Sequence, residues 1–348
     1  MSEKRTELSE LGEFGLIDHL TKGIAAHQGN TIKGIGDDAA VIDAGEDFLL
    51  VSTDMLMEGV HFDLSYTPLK HLGYKSVVVN LSDIYAMNGR PEQVTISLAV
   101  SNRFSVEALE ELYEGIRLAA QIYDVDIVGG DTTTSIAGLA ISVTAIGRVN
   151  KEKVVYRSGA KDKELLVVSG NLGASYMGLQ ILEREKAVFE AAPGAQPDLS
   201  GNDYILERHL KPEARKDIID MLDELDITPT SMIDISDGLA SEVIHLTRAS
   251  GLGAAIYEEK IPLHENTISC AQQFDLQPTT CALNGGEDYE LLFTILQSDF
   301  DKLRAHPELT VIGHMAEKSV GNQLISNDGQ QITLKAQGWD AMLSNDSA

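Results

Sequence analysis

Residues 71–100, HLGYKSVVVNLSDIYAMNGRPEQVTISLAV, decide the fold class. They open in a helical stretch that runs over about 68–88 and end in a strand, VTISLAVS at 94–101. Working outward, a second helix fits Val106 to Tyr123, a strand runs into VGGDTTT at 128–134, and an alternating strand, GLAISVTAIGRV, covers 138–149. Upstream, FLLVSTD at 48–54 reads as a buried strand that ends in polar residues. An amphipathic helix fits 9–27, with Leu11, Phe14, Ile17 and Leu20 on one face. Helices interleaved with strands that allow both parallel and antiparallel pairing read as a mixed α and β protein.

Residues 150–162, NKEKVVYRSGAKD, are polar and basic relative to the rest and mark a boundary. The chain is accordingly expected to form two domains, 1–150 and 151–348. In the second, ELLVVSG (164–170) reads as a strand followed by the helix GASYMGLQILEREKA. Residues 188–203 lack periodicity and read as a loop or insertion, and helices fit 213–225 and 238–250. A late hairpin is signalled by Asp328-Gly329 between QLIS and QITL.

The 348 residues carry 54 Asp and Glu against 27 Lys and Arg, a formal charge of −27, while 43% of residues are hydrophobic. That balance is globular, and its sign argues against nucleic acid or an anionic membrane as partner, because affinity for both comes largely from Lys and Arg on phosphate. The N-terminal MSEKRTELSELGEF has no apolar core of a signal peptide, and nowhere do about 18 apolar residues run together, so a cytoplasmic protein is expected. Cys270 and Cys281, without a CxxC or Cys/His cluster, read as reduced residues.

The informative feature is where the acid lies. Asp37 and Asp38 in IGDDAAV, Asp54 in VSTDML, Asp83 in VNLSDIYAM, Asp131 in VGGDTTT, and Asp234 and Asp237 in MIDISDGL each sit in an otherwise apolar, strand-terminal string. One such Asp is usually a helix cap or turn residue. Five strings together point to a shared site, since buried carboxylates are costly unless protons or cations neutralise them. Carboxylates with Ser and Thr hydroxyls alongside suit magnesium rather than zinc.

Other motifs carry less. Gly34-Ile35-Gly36-Asp37-Asp38-Ala39 formally resembles a dinucleotide fingerprint, but two acids would occupy the phosphate loop and no clear strand precedes it. Ser169-Gly170-Asn171-Leu172-Gly173 reads as a tight strand-to-helix turn. Asp234-Ile235-Ser236-Asp237-Gly238 lacks the spacing and terminal Glu of an EF-hand, and there is no Walker A string. Gly285-Gly286-Glu287-Asp288-Tyr289-Glu290 reads equally as a turn before a strand or as a functional loop. Trp339 is the only tryptophan.

Taken in order, GEFGLI (12–17), IGDDAA, STD (52–54), EGVHF (58–62), NLSD (80–83), GGDTT (129–133), YRSGA (156–160), RHLKP (208–212), DISDGL (234–239) and GGEDYEL (285–291) closely resemble the thiamine-monophosphate kinase family, of the superfamily of aminoimidazole ribonucleotide synthetase and selenophosphate synthetase. The resemblance implies transfer of the ATP γ-phosphoryl group to thiamine monophosphate. It also implies an α+β, aminoimidazole ribonucleotide synthetase-like two-domain fold. In that fold the N-terminal mixed sheets pair as a homodimer barrel, and a C-terminal α/β sandwich domain completes the active site. Carried over by position, the metal ligands fall on Asp38, Ser52, Thr53, Asp54, Asp83, Asp131, Asp234 and Asp237, holding several Mg2+ ions. ATP contacts fall on Gly130, Asp131, Arg157, Ser236 and Tyr113, and substrate contacts on His61, Glu287 and Trp339. Asp83, Asp131, Arg157 and Asp237 are the implied catalytic set. The chain departs from the family after YRSGA, where the usual Lys-Pro-Gly-Asp is Lys161-Asp162-Lys163-Glu164, and in residues 188–203, which are peculiar to it.

Overall fold

The computed structural model describes Leu8, residues 11–192, Gly194 and residues 196–336. The first part runs α1 (Gly12–Thr21), β1 (Thr31–Lys33), β2 (Ala40–Asp43), β3 (Asp47–Met57), α2 (Leu69–Ala86), β4 (Arg90–Val100), α3 (Val106–Tyr123), β5 (Asp126–Thr134) and β6 (Leu139–Asn150). Its six strands form one sheet in the order β1-β2-β3-β6-β4-β5. All neighbours are antiparallel except β4 and β5, which α3 connects as a crossover.

The second part runs β7 (Leu165–Ser169), α4 (Ala174–Ala191), α5 (Asp203–Leu210), α6 (Lys216–Glu224), β8 (Ser231–Asp234), α7 (Leu239–Ser250), β9 (Gly253–Tyr257), α8 (Glu265–Gln273), α9 (Pro278–Asn284), β10 (Leu291–Ile295), α10 (Phe300–Leu303), β11 (Leu309–Ala316), β12 (Asn322–Ile325) and β13 (Gln331–Thr333). Seven strands form the sheet β13-β12-β9-β11-β7-β10-β8. It is covered on both faces. Leu166 and Val168 pack with Leu239, Val243 and Leu246 of α7, while Val167 of the same strand packs with Ile218 and Leu222 of α6. Burial on both faces is why β7 and β10 read as apolar runs without alternation.

Helix α2 is the hub of the fold. It is buried on nearly every side, between β3, β4 and β6, α3 and β8, so its apolar residues show no single face. Helix α3 buries only Leu112, Gly115, Ile116, Ala119, Ala120 and Tyr123, and Ser105 caps its start by accepting from Ala108 N at 3.2 Å. The two helices touch backbone to backbone: a Cβ on Gly73 would lie 2.0 Å from Leu112 O, and one on Gly115 1.8 Å from Lys70 O.

Most expected elements are present within a few residues. The exception is the first helix. Only Gly12–Thr21 is helical and none of it is buried. It meets α7 through the Phe14–His245 ring contact at 4.7 Å and the Asp18–Arg248 ion pair at 3.1 Å. The Asp328-Gly329 hairpin joins β12 and β13, with Gly329 at φ 82. Cys270 and Cys281 are buried and free, and among the described residues no helix is long and apolar enough to cross a membrane. In the departure from the family string, Lys163 takes a left-handed conformation, φ 69, while its N–H donates to Met315 O at 2.9 Å.

Two stability measurements test this packing. Gly115→Ala forces apart backbones already in contact and should cost about 3 kcal/mol in chemical unfolding; a change below experimental error would mean that α2 and α3 are not held this close. Lys163→Gly relieves a left-handed residue without losing its hydrogen bond and should stabilise by about 1 kcal/mol, seen as a raised melting temperature.

Candidate active site

Three segments converge on one point. Asp38 lies in the turn between β1 and β2, Asp83 near the end of α2, and Asp234 at the end of β8, and one carboxylate oxygen from each lies within 4.8 Å of the other two. Each acid is held by a neighbour. The Arg157 guanidinium donates from Nε (3.1 Å) and Nη2 (2.6 Å) to Asp38 Oδ1. The Ser52 hydroxyl donates to Asp83, and the Ser82 hydroxyl to Asp234 Oδ2 at 2.6 Å. Both Arg157 contacts fall on one oxygen, leaving Asp38 Oδ2 buried with no hydrogen-bond partner among the described residues. Asp37 is a structural pin, accepting from Arg157 N at 3.0 Å and pairing with Lys33 at 3.4 Å.

The loops that present these groups are zipped together by their backbones. Ile235 N donates to Glu290 O (2.7 Å), Tyr289 N to Ile235 O (2.9 Å) and Glu287 N to Ser236 O (2.7 Å), so the strings DISDGL and GGEDYEL form one unit. A Cβ on Gly286 (φ 70) would meet Ser236 O at 2.5 Å, which explains the glycine. Glu287 and Tyr289 are both left-handed, at φ 56 and 52, the kind of stored strain that accumulates at functional sites.

Electrostatics set the site's character. Burial, with Asp234 and Asp37 nearby, pushes the Asp38 carboxyl up to about 7 despite Arg157. Burial, with Asp54 and Asp237, pushes Asp234 up to about 6 against the Ser82 bond and Arg157. Asp83 is raised well above the ordinary range by burial and then by Asp54, Asp234 and Asp38. Asp54 sits at the open rim, its backbone N–H donating to Asn80 Oδ1 at 2.9 Å, and the surrounding protein still raises its carboxyl. Glu242 of α7, which accepts from Asp237 N at 2.9 Å, is raised well above its usual value by burial and by Asp237. Arg157 is a cation that Asp38, Asp234 and Glu242 share. The set is rich in hard oxygen donors, and one Asp38 oxygen is buried without a hydrogen-bond partner among the described residues, which suits a divalent cation of the magnesium class.

The structure brings together Asp38, Ser52, Asp54, Asp83, Arg157, Asp234 and Asp237, with Ser236 in the zipped loop. It does not bring Thr53 there. Adjacent strand residues point to opposite faces, so Thr53 leaves the face of Ser52 and donates to Val143 O at 3.0 Å. Gly130 and Asp131 stand on the exposed edge strand β5, paired with Ile96 and Ser97, and β6 and β4 separate them from Asp54. Tyr113 of α3 packs partly buried against the core. His61 accepts from Met57 N at 3.0 Å and feels the charges of Glu287 and Lys75. Trp339 lies outside the described residues. Sequence reasoning missed Glu242, Lys75 and His209. Lys75, a charge inside the apolar run HLGYKSVVV, was the available signal for the second.

The raised carboxyls fix a pH response. A group whose pKa is 3.8 unfolded and about 6 to 7 folded keeps protons that the unfolded chain has released, so this cluster lowers stability as pH rises across that interval. Protons and a divalent cation compete for the same oxygens. The rise in melting temperature on adding Mg2+ should therefore be larger at pH 7.5 than at pH 5.5; equal rises would show that the cluster does not hold the ion.

Known proteins carry the same architecture. A family profile described as AIR synthase related protein, N-terminal domain, matches residues 36–149. The thiamine-monophosphate kinase of Aquifex aeolicus is 36% identical over 334 residues, covering 95% of this chain and 98% of that one. The Bacillus subtilis thiamine-monophosphate kinase is 32% identical over 336 residues, covering 95% and 99%. A solved structure described as AaThiL complexed with AMPPCP and TMP superposes with a TM-score of 0.82 at 33% identity, covering 98% of this chain and 99% of that one. With full-length relatives at this identity and the fold shared throughout, the chain belongs to the thiamine-monophosphate kinase family.

Proposed function

We propose that this protein transfers the γ-phosphoryl group of ATP to the phosphate of thiamine monophosphate, giving thiamine diphosphate and ADP. The observation that carries the reading is the convergence of Asp38, Asp83 and Asp234 within 4.8 Å, with an unpartnered Asp38 oxygen, in a chain of this family. The acceptor is a phosphate oxygen already anionic at neutral pH, so no strong general base is required. The obstacle is repulsion between two anionic phosphates, and such transfers rely on positioning and charge neutralisation. Mg2+ ions held by Asp38, Asp54, Asp83, Asp234 and Asp237, with Ser52 and Asp131 alongside, would supply that neutralisation.

Arg157 supplies a fixed positive charge, buried against Asp38 and so oriented in advance. Ser236, Gly130, Asp131 and Tyr113 are assigned to ATP, and His61, Glu287 and Trp339 to thiamine monophosphate. Thr53 is left out of the metal set because its hydroxyl is engaged on the other face. Residues 1–150 are assigned to metal and ATP binding and to dimerisation, and residues 151–348 to completing the site, in a cytoplasmic homodimer.

The surface of the first sheet supports pairing. Strand β5 is exposed along its whole length. Val128 is 56% exposed, and Met55 and Met57 of β3 are 56% and 45% exposed. An open edge and an apolar sheet surface invite a second copy, which would put Asp131 at the subunit boundary.

Incubation of the protein with ATP, Mg2+ and thiamine monophosphate should yield thiamine diphosphate and ADP by chromatography, and absence of that product would sink the assignment. Asp83→Asn should lower turnover by about a hundredfold or more. Because it removes one charge from a repelling cluster, the metal-free variant should melt no lower than the parent. Near-normal turnover would reject the role of Asp83.

A further inference from the structure

Beside the acidic cluster stands a second group of charged side chains. Lys75 of α2 is only 4% exposed, and its ammonium lies 2.9 Å from Glu287 Oε1 while donating to His209 O at 3.3 Å. His209 of α5, also buried, places Nδ1 3.4 Å from Glu287 Oε2 and 3.2 Å from Ser175 Oγ. Side-chain exposure is 6% for Lys75, 7% for His209 and 29% for Glu287, so Glu287 is the member of the group most open to solvent.

We propose that Lys75 is a positioning residue for substrate recognition: from behind, it holds the Glu287 carboxylate in the one orientation that faces the bound thiamine monophosphate. The proposal rests on the assignment of Glu287 to that substrate. The backbone at Glu287 is already fixed, left-handed at φ 56 with its N–H on Ser236 O at 2.7 Å, so the side-chain torsions are the freedom left to restrain. Burial lowers the His209 ring to about 4, leaving it neutral, and Lys75 is the full positive charge against this carboxylate. The ion pair is a dipole with its negative end toward the cleft. It attracts a cationic ring at contact distance and in a defined direction, where a free carboxylate would attract any cation.

The pair also bridges the two parts of the fold, because Lys75 belongs to α2 and Glu287 to the loop before β10. A purely structural bridge and a positioning role predict different kinetics. If Lys75 orients Glu287, Lys75→Met should raise the KM for thiamine monophosphate about tenfold or more while the KM for ATP changes less than about twofold, and Lys75→Arg should recover most of the loss. Equal rises in both KM values, or no change in the first, would overturn the proposal.

The second arm uses Glu287→Gln, which already removes the charge that Lys75 orients. Adding Lys75→Met to it should leave the KM for thiamine monophosphate unchanged. A further tenfold rise in the double variant would show that Lys75 acts independently of Glu287, against the proposal, and this comparison stands even if Lys75→Met alone does not fold. Formation of thiamine diphosphate by the parent protein reports separately on the assignment of function.

Discussion

Repulsion among carboxylates is the constraint on which the rest of the structure depends. Asp38, Asp83 and Asp234 come within 4.8 Å of one another, with Asp54, Asp237 and Glu242 close enough to raise or be raised by them. Left to itself, such a cluster would drive its segments apart or hold protons. What keeps it assembled is mainly hydrophobic, with one ion pair: Asp83 and Asp234 are each attached to an element buried in the core, and Asp38 is paired with a cation. The apolar residues of α2 hold Asp83 in place, those of β8 hold Asp234, and the Arg157 contact holds Asp38. The stability of the core is thus spent on keeping like charges together, which is useful only if a cation is to be received there.

This accounts for the burial of α2. A helix with one apolar stripe could hold one side of a cleft, but α2 must touch the first sheet, α3 and β8 at once while presenting Lys75, Ser82 and Asp83. The glycines at its contact with α3 follow from the same demand. Gly73 and Gly115 remove side chains where the helices would otherwise be pushed apart, and so bring α2 deep enough to reach both sheets. Backbone approach, polar face and site geometry are consequences of one placement.

Much of this was legible in the sequence because it is local. Strand periodicity, the run of α3 from Val106 to Tyr123 and the Asp-Gly hairpin are written in short windows, and the Asp strings stand out against apolar neighbours. The first helix is present but shorter than its apolar pattern suggested, ending at Thr21, and periodicity alone does not say what covers an apolar face: Leu11, Phe14 and Ile17 stay exposed. Thr53 failed for a simpler reason. Motif position carries no facing, and alternation along β3 turns Thr53 away while Ser52 turns inward. Lys75 and His209 were missed because their meaning is a distance of 2.9 to 3.4 Å to Glu287, more than 70 residues away in sequence, and no local pattern records it.

The cleft therefore has two ends of unlike charge. Lys75 and Asp83 are eight residues apart on α2, about 12 Å along the axis. At the Asp83 end, negative charge is in excess and Arg157 is shared among several acids. At the Lys75 end, one carboxylate meets one ammonium and the charge is balanced. If both ends carried uncompensated acid, a cationic ring would bind to either. Under the proposed assignment, pairing Glu287 with Lys75 removes long-range attraction there and keeps contact attraction, so phosphate carried on cations would be directed to one end and the organic cation to the other. The net charge of −27 is read correctly only after this division: what matters for the chemistry is where several carboxylates share one cation, around Arg157, and where one carboxylate has its own, at Glu287 and Lys75.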